Sequence, residues 1–144
     1  MTIKVVEFSE LESDITKTSG TRWDLLAEVV GKAYVVAITR DGCSACEKQK
    51  PKLDELSKRI AAKHGEKADF TRIHVKLASD SQDESLRSKE ILGHYFYPTN
   101  LILLRTGDRG AFEFYRNVSP DMKELEGNIE HALEVAAMME KQTS

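Results

Sequence analysis

The pattern of hydrophobic and polar residues predicts five strands along the chain. Residues 33–38 form an unbroken apolar run, which is typical of a central strand covered by helices on both faces. Residues 73–77 alternate between apolar and polar side chains, as a half-buried strand does. Residues 101–104 and 111–115 flank a glycine-containing turn, which predicts two antiparallel strands. We expect a short first strand within residues 2–8.

Helical spacing of apolar residues predicts two helices in the first half of the chain. A first helix is expected from about residue 21 to residue 31, because its apolar side chains recur every three or four positions. A second helix is expected to begin near Cys43 and to stop near Gly65. Pro51 lies inside this second helix and lacks a backbone donor, which predicts a kink.

Two further helices are predicted in the second half. A short helix follows the polar residues 79–85. The last helix is expected to start at Ser119, a favourable N-cap, with Pro120 at its first helical position. Its apolar stripe consists of Met122, Leu125, Ile129, Leu133 and Ala136. The resulting order, β-α-β-α-β-α-β-β-α, predicts an α/β fold with a mixed sheet and helices on both faces.

The composition is that of one globular domain. The 144 residues are 40% hydrophobic and 31% charged, so we expect a single domain over residues 1–144. The formal net charge of -3 gives no general attraction to nucleic acid or anionic membranes. The first residues lack the pattern of a secretion signal, and no apolar run approaches the roughly 20 residues that span a bilayer. We therefore expect a cytoplasmic protein without a nucleic-acid or membrane partner.

The most informative chemistry lies in the only two cysteines, Cys43 and Cys46, which follow the apolar run 33–38. At the start of a helix, this spacing places both sulfurs on one face, where they can close a small disulfide ring. The ring encloses only Ser44 and Ala45, so its entropic contribution to stability is small. In the cytosol such a pair is more typical of catalysis, redox sensing or metal binding than of a permanent disulfide.

The position of each cysteine on the helix predicts a different role for each sulfur. Cys43 is expected at the helix N-terminus, where free N–H groups and the helix dipole favour a thiolate. Cys46, one turn further on, is expected to be more buried and less acidic. We therefore predict that Cys43 is the attacking nucleophile and that Cys46 resolves the mixed disulfide.

The chain resembles the thioredoxin family in its order of elements and in three local motifs. Cys43-Ser44-Ala45-Cys46 matches the redox motif of the family. Pro51 falls five residues after the second cysteine, where the family kinks its active-site helix, and Tyr97-Pro98-Thr99 matches the cis-proline segment. The resemblance covers nearly all of residues 2–139. It implies a thioredoxin-like three-layer α/β/α fold with a mixed central sheet.

This resemblance also implies a function. Thioredoxin-like proteins are thiol-disulfide oxidoreductases that exchange disulfides with protein substrates. For this chain we expect a cytosolic reductase, whose electrons come from a partner disulfide reductase. In the family an extended substrate segment pairs with the edge beside the cis proline, which assigns substrate binding to Tyr97 and Pro98. Tyr95 and Phe96 are expected to shape an apolar pocket with Tyr97. The alternative is that two of these three rings belong to the core.

The sequence departs from the family at the proton acceptor. The buried acid of the family, six residues before the first cysteine, corresponds to Ala37. Asp41, Glu47 or water are candidates to accept the proton of Cys46, with Glu47 preferred, unless both acids are simply solvated. Lys76 is the expected counterpart of the lysine on the family's neighbouring strand. The residues around the cysteines differ as well, which leaves the reduction potential open.

A second interpretation is a non-catalytic thioredoxin-fold module whose cysteines act as a sensor or share a metal across a dimer. Two thiolates do not complete a four-ligand zinc or iron–sulfur site within one chain. No nucleotide-binding glycine loop is present. The histidines without ligand-like spacing are His64, His74, His94 and His131. We therefore expect no cofactor and no metal.

Overall fold

The computed structural model describes residues 3–18, 23–76, 82–118 and 121–143. Strands and α-helices follow one another in the order expected from the sequence. The elements are β1 (Lys4–Glu7), α1 (Phe8–Thr18), β2 (Ala33–Arg40), α2 (Ser44–His64), β3 (Ala68–Val75), α3 (Gln82–Leu92), β4 (Thr99–Arg105), β5 (Ala111–Asn117) and α4 (Met122–Thr143). The turn Gly65–Lys67 is a short 3-10 helix between α2 and β3.

The strands form one mixed sheet in the order β1-β3-β2-β4-β5. β3 pairs in parallel with both β1 and β2, whereas β4 runs antiparallel to β2 and β5. Because β2 and β3 are parallel neighbours, both finish at the same edge of the sheet. β4 is antiparallel to β2 and therefore begins at that edge. That edge holds the candidate site.

Apolar side chains cover both faces of the sheet, as the unbroken run in β2 predicts. Val35 and Ala37 of β2 pack with α2 and α4, while Val36 and Ile38 pack on the opposite face with α1 and the end of α3. β2 is consequently buried on both faces up to Thr39. The expected three-layer α/β/α arrangement is confirmed.

The predicted helix over residues 21–31 is wrong. From Trp23 onward this segment consists of turns, in which Leu26 and Ala27 donate their backbone N–H groups to Trp23 O. Its carbonyl groups at Asp24 and Ala27 accept hydrogen bonds from the Arg105 guanidinium of β4 instead of from a following helical turn. Contacts with distant strands therefore replace the local helix that apolar spacing predicts.

The first helix of the fold lies earlier, in α1. The sequence placed only a strand near residues 2–8, but β1 ends at Glu7 and a helix begins at Phe8. Phe8 and Leu11 are the buried residues of this helix, and the remainder is strongly polar. Phe8, Leu11 and Ile15 recur at helical spacing, so the local pattern is present, and the helix was missed because Phe8 was assigned to the preceding strand.

Some expected features fall outside the described residues. Ser119 and Pro120, the predicted start of the last helix, belong to that part, as do residues 77 and 79–81, whereas residues 82–85 already belong to α3. α4 begins at Met122, and Asp121 Oδ1 accepts the first free backbone N–H groups in place of the expected cap at Ser119. α4 itself is confirmed, and its buried stripe includes Leu125, Ile129, Ala132 and Ala136. None of the described helices is long and apolar enough to cross a bilayer.

The core assignment predicts the effect of truncating Leu56, a fully buried residue of α2. Leu56→Ala is expected to lower the free energy of unfolding by about 2–5 kcal/mol, because it removes apolar contacts and leaves a cavity. Leu86 on α3 is 60% exposed, so Leu86→Ala is expected to change the free energy of unfolding by less than about 0.5 kcal/mol. Denaturant titration measures both values. Equal losses in the two variants would contradict this assignment.

Candidate active site

The turn between β2 and α2 places Cys43 at the end of the helix. β2 ends at Arg40, and the backbone N–H of Asp41 donates to Val75 O, which holds the turn against β3. Gly42 has a φ of +73°, a conformation that side chains with a Cβ rarely adopt. Glycine at this position therefore follows from the local backbone.

Cys43 is the N-cap of α2, and its side chain is the capping group. The backbone N–H of Cys46 donates to Cys43 Sγ at 3.1 Å. Cys43 and Cys46 are joined by a disulfide in this structure, with their Cα atoms 5.2 Å apart. In the reduced protein, the same N–H group and the positive end of the helix dipole would favour a thiolate at Cys43.

Burial does not distinguish the two cysteines. Cys43 is 8% exposed and Cys46 is 6% exposed, so the expectation that Cys46 is clearly more buried is not met. The two sulfurs differ instead in their position at the helix end. Only Cys43 caps the helix, because its residue precedes the first helical turn and its side chain folds back onto the free N–H groups.

The loop before β4 meets Cys43 at the same sheet edge. The Tyr97-Pro98 peptide bond is cis, as the sequence predicts. Cys43 Sγ lies 3.5 Å from the backbone oxygen of Tyr97. A carbonyl group of the loop therefore faces the sulfur that caps the helix, although 54 residues separate the two in the sequence.

Hydrogen bonds at both ends hold this loop in place. The Arg116 guanidinium of β5 donates to the carbonyl oxygens of Leu92 and Gly93, where α3 ends. At the other end, Thr99 Oγ1 donates to Phe96 O at 2.7 Å. The Tyr97 hydroxyl lies 3.0 Å from Ser85 Oγ and 2.9 Å from Ser88 Oγ on α3.

The three aromatic residues of the loop have different environments. Tyr95 is 80% exposed and Phe96 is 64% exposed, so the alternative that two of the three rings are core is wrong. Tyr97 is half-buried and packs against the core on the α1/α3 face. Its ring lies between the cations of Arg40 and Lys89, 5.1 and 5.6 Å from the ring centroid. Tyr95 and Phe96, which directly precede Tyr97 in this loop, thus expose apolar rings, and we call them the aromatic pair.

A buried amide pair, which the sequence analysis missed, attaches α2 to β4. Gln49 Nε2 donates to Asn100 Oδ1 at 2.9 Å, and Asn100 Nδ2 donates back to Gln49 Oε1 at 2.8 Å. Both side chains are almost completely buried. Gln49 lies one turn after Cys46, and Asn100 lies two residues after Pro98. The pair therefore fixes the cysteine helix relative to the cis-proline loop. No motif marks these residues, since their pairing depends on the fold.

Ala37 leaves the usual position of the buried acid apolar. A cleft of about 410 Å³ is lined by Ala37, Cys46 and Arg72. The strand register pairs Ala37 with Arg72, so Lys76, which lies beyond the end of β3, is not the basic residue beside this position. The Arg72 guanidinium donates to Thr39 Oγ1 at 3.3 Å.

A neighbouring cleft of about 330 Å³ also reaches Cys46 and contains Glu47, Asp41 and His74 among its lining residues. Glu47 is exposed. His74, by contrast, is held between two carboxylates: its Nδ1 lies 2.8 Å from Glu7 Oε2 and its Nε2 lies 2.6 Å from Asp41 Oδ1. The sequence analysis did not select His74 as a site residue, because its two partners lie on another strand, β1, and in the turn after β2.

The charge of His74 depends on these carboxylates. Partial burial disfavours the charged ring, but the hydrogen bonds to Asp41 and Glu7 outweigh it and raise the pKa of His74 above its usual 6.5. Imidazolium can donate to both carboxylates at once, whereas neutral imidazole carries only one N–H group. The two carboxylates therefore favour the protonated form of His74.

His94 has the opposite environment. It is almost completely buried, and neither ring nitrogen has a hydrogen-bond partner among the described residues. Burial lowers the pKa of His94 to about 4, with further contributions from the cations of Lys89 and Arg116. Its ring packs edge-to-face on Tyr97, with the centroids 4.9 Å apart. His94 thus supports the cis-proline loop as a neutral side chain.

Comparison with solved structures agrees with this geometry. The thioredoxin of Malassezia sympodialis superposes with a TM-score of 0.59 and 17% identity, over 90% of each chain. Thioredoxin NaTrxh of Nicotiana alata gives a TM-score of 0.58 and 22% identity, over 91% of this chain and 94% of that chain. The chain has a thioredoxin fold.

A third structure with this fold extends the comparison. A chain from the complex of ferredoxin:thioredoxin reductase and thioredoxin f2 matches with a TM-score of 0.57 and 19% identity, over 90% of this chain and 94% of that chain. No protein-family model matches the sequence, and no curated protein matches it either. This chain thus shares the thioredoxin fold with these solved structures, although its sequence identity to each of them is low.

The environment of His94 predicts how stability depends on pH. Between pH 6.5 and about 4 the unfolded chain binds a proton at His94 that the folded chain does not, so the free energy of unfolding falls as the pH falls. One pKa unit corresponds to about 1.4 kcal/mol, which gives at most about 3 kcal/mol over this range.

Denaturant titrations at several pH values test this prediction. His94→Leu is expected to show a weaker loss of stability between pH 6.5 and 4 than the wild type, because the group that titrates has been removed. His131→Gln, which changes an exposed histidine of α4, is the matched control and should follow the wild type. The prediction fails when His94→Leu loses as much stability on acidification as the wild type.

Proposed function

We propose that this protein is a thiol-disulfide oxidoreductase acting on protein disulfides, with Cys43 as nucleophile and Cys46 as resolving residue. The observation that carries the proposal is the capping of α2 by Cys43 Sγ, 3.5 Å from the Tyr97 carbonyl oxygen. One sulfur is thereby activated by the helix end and placed beside a backbone edge suited to an extended polypeptide. The thioredoxin fold supports the same activity.

The proposed reaction has two steps. The Cys43 thiolate attacks one sulfur of a substrate disulfide, and the other substrate sulfur leaves as a thiolate. Cys46 then loses its proton and attacks Cys43 Sγ, which breaks the mixed disulfide and releases the second substrate thiolate. The protein ends with a Cys43–Cys46 disulfide, as found in this structure, and the substrate has gained two electrons.

Substrate binding is assigned to Tyr97, Pro98 and the aromatic pair. The Tyr97 carbonyl oxygen beside Cys43 offers a backbone acceptor for an extended segment. Tyr95 and Phe96 expose large apolar rings next to it, and exposed apolar surface of this kind favours contact with polypeptide. Backbone pairing combined with apolar contact would accept many substrate sequences.

For the direction of electron flow we propose a cytosolic reductase that receives its electrons from a partner disulfide reductase. The similarity to a chain in the complex of ferredoxin:thioredoxin reductase and thioredoxin f2 supports a reductase as partner. Glu47, which lines a cleft with Cys46, is the proton acceptor that the sequence favours. An isomerase or oxidant is the alternative within the same chemistry, and a sensory binding module is the alternative outside it.

The redox couple predicts an equilibrium that can be measured. In graded thiol/disulfide buffers, alkylation and mass analysis should show a reversible two-electron transition of the Cys43–Cys46 pair with a strongly reducing midpoint. Iodoacetamide should label Cys43 before Cys46 in the reduced protein, since the helix end favours its thiolate. Cys43→Ser should abolish disulfide reduction, whereas Cys46→Ser should accumulate the mixed disulfide.

Other results would change this assignment. A much more oxidising midpoint would point to an isomerase or oxidant. The absence of a reversible couple would overturn the proposed enzyme and favour a binding module. Preferential labelling of Cys46 would reverse the roles of the two sulfurs.

Contact through the aromatic pair predicts a loss of substrate affinity on substitution. In a Cys43→Ser background, which cannot form the mixed disulfide, Phe96→Ser is expected to weaken noncovalent binding of an unfolded protein substrate by about threefold to tenfold, because it removes exposed apolar contact area. Phe112→Ser is the matched control, since Phe112 is also exposed but lies near the other end of β4. Calorimetry measures both affinities. Equal affinities in the two variants would exclude a contribution of Phe96.

A further inference from the structure

We propose that His74, held between Glu7 and Asp41, exchanges the proton of Cys46 during the resolving step. This inference rests on the proposed oxidoreductase function and assigns a step of that reaction. Ala37 occupies the position at which thioredoxins carry a buried acid, so the Cys46 thiol needs another proton acceptor. The three side chains Glu7, His74 and Asp41 are called the His74 cluster below.

The strands bring the His74 cluster to the face of the sheet that carries the cysteine helix. On β3, His74 alternates with buried Ile73 and Val75, and so lies on the same face as Ala68 and Phe70, which pack with α2 and α4. The register places Glu7 of β1 and Thr39 of β2 on either side of His74. The apolar face thus becomes polar at the edge where α2 begins.

Cys46 and His74 line the same cleft of about 330 Å³. A water molecule occupies about 30 Å³ in the liquid, so this space admits a short chain of waters between the thiol and the cluster. The charged and titratable groups that face the cleft come from each element around it: Glu7, Arg40, Asp41, Glu47, Lys50 and Arg72. His74 lines the cleft with these groups, and imidazole is the side chain whose ordinary pKa lies closest to neutral pH.

Hydrogen bonding makes the cluster suited to both directions of proton transfer. Both ring nitrogens of His74 face carboxylates, so the proton of the Cys46 thiol reaches the neutral imidazole through the carboxylate of Asp41 or Glu7, and the Cys46 thiolate attacks Cys43 Sγ while the substrate thiolate departs. In the reverse reaction the imidazolium returns this proton to the Cys46 thiolate. The carboxylates of Glu7 and Asp41, 2.8 and 2.6 Å away, stabilise the imidazolium that forms.

The reaction with the chromogenic disulfide dithionitrobenzoate separates the two steps. Reduced protein releases one coloured thiolate when Cys43 attacks and a second when Cys46 resolves the mixed disulfide, and stopped flow resolves the two phases. In the wild type, the rate of the second phase is expected to rise with pH through the titration of His74. Proton NMR of the imidazole measures that titration independently.

His74→Gln should slow the second phase about tenfold near pH 7 and remove this inflection, while the first phase keeps its wild-type rate. The effect is moderate because the cleft is open and water can replace the imidazole. Asp41→Asn, a change of an exposed side chain, should move the inflection and the NMR titration together to lower pH. This second variant keeps the test independent of any folding defect in His74→Gln.

His64→Gln is the matched control. His64 also forms a pair with a carboxylate, 2.7 Å from Glu130 Oε1, but it lies at the far end of α2. It should leave both phases unchanged. A second phase whose rate and inflection are the same in His74→Gln as in the wild type would overturn the proposal, and so would an inflection that Glu47→Gln removes and His74→Gln retains.

These outcomes are distinct from failure of the proposed function. A wild-type protein that shows no second phase would lack a resolving cysteine altogether, which refutes the oxidoreductase mechanism and with it the role of His74. A wild-type protein with both phases, but no dependence on His74, keeps the mechanism and refutes only the proton transfer assigned here.

Discussion

The site depends on the hydrogen bond that caps the start of α2, from the backbone N–H of Cys46 to Cys43 Sγ. A helix leaves its first N–H groups without partners, and here a cysteine sulfur accepts one of them. The same contact therefore ends the turn and begins the helix, and in the reduced protein it would favour a thiolate at Cys43. Gly42 makes it possible, since its positive φ lets the chain leave β2 and enter the helix within two residues.

The other half of the site is positioned by groups far away in the sequence. The cis-proline loop reaches Cys43 because Arg116 of β5 holds its first carbonyl groups and the serines of α3 hold the Tyr97 hydroxyl. The Gln49–Asn100 pair then connects the cysteine helix directly to β4. Buried amides of this kind are costly unless both are satisfied, so each fixes the position of the other.

The sheet face that packs against α2 and α4 ends in polar side chains near the cysteines. This feature distinguishes the protein from a thioredoxin that has a buried acid there. Ala37 removes the acid, and the neighbouring strand presents Arg72 and His74 at the same level of the sheet. Charged groups so close to the core are retained when they are paired, as His74 is with Glu7 and Asp41. In the mechanism we propose, the proton acceptor of Cys46 is thereby moved from one buried residue to a cluster shared by two strands and a turn.

Much of the fold and part of the site could be read from the sequence. The run 33–38 predicted a strand buried on both faces, the periodicity after it predicted a helix that begins near Cys43, and the resemblance of Tyr97-Pro98 to a family motif predicted the cis bond. These features are local, because periodicity, capping and proline geometry depend on neighbouring residues. Tertiary contacts decided the rest. Residues 23–31 form turns because distant strands bind their backbone, and His74 meets Glu7 and Asp41 only through strand register, which no local pattern encodes.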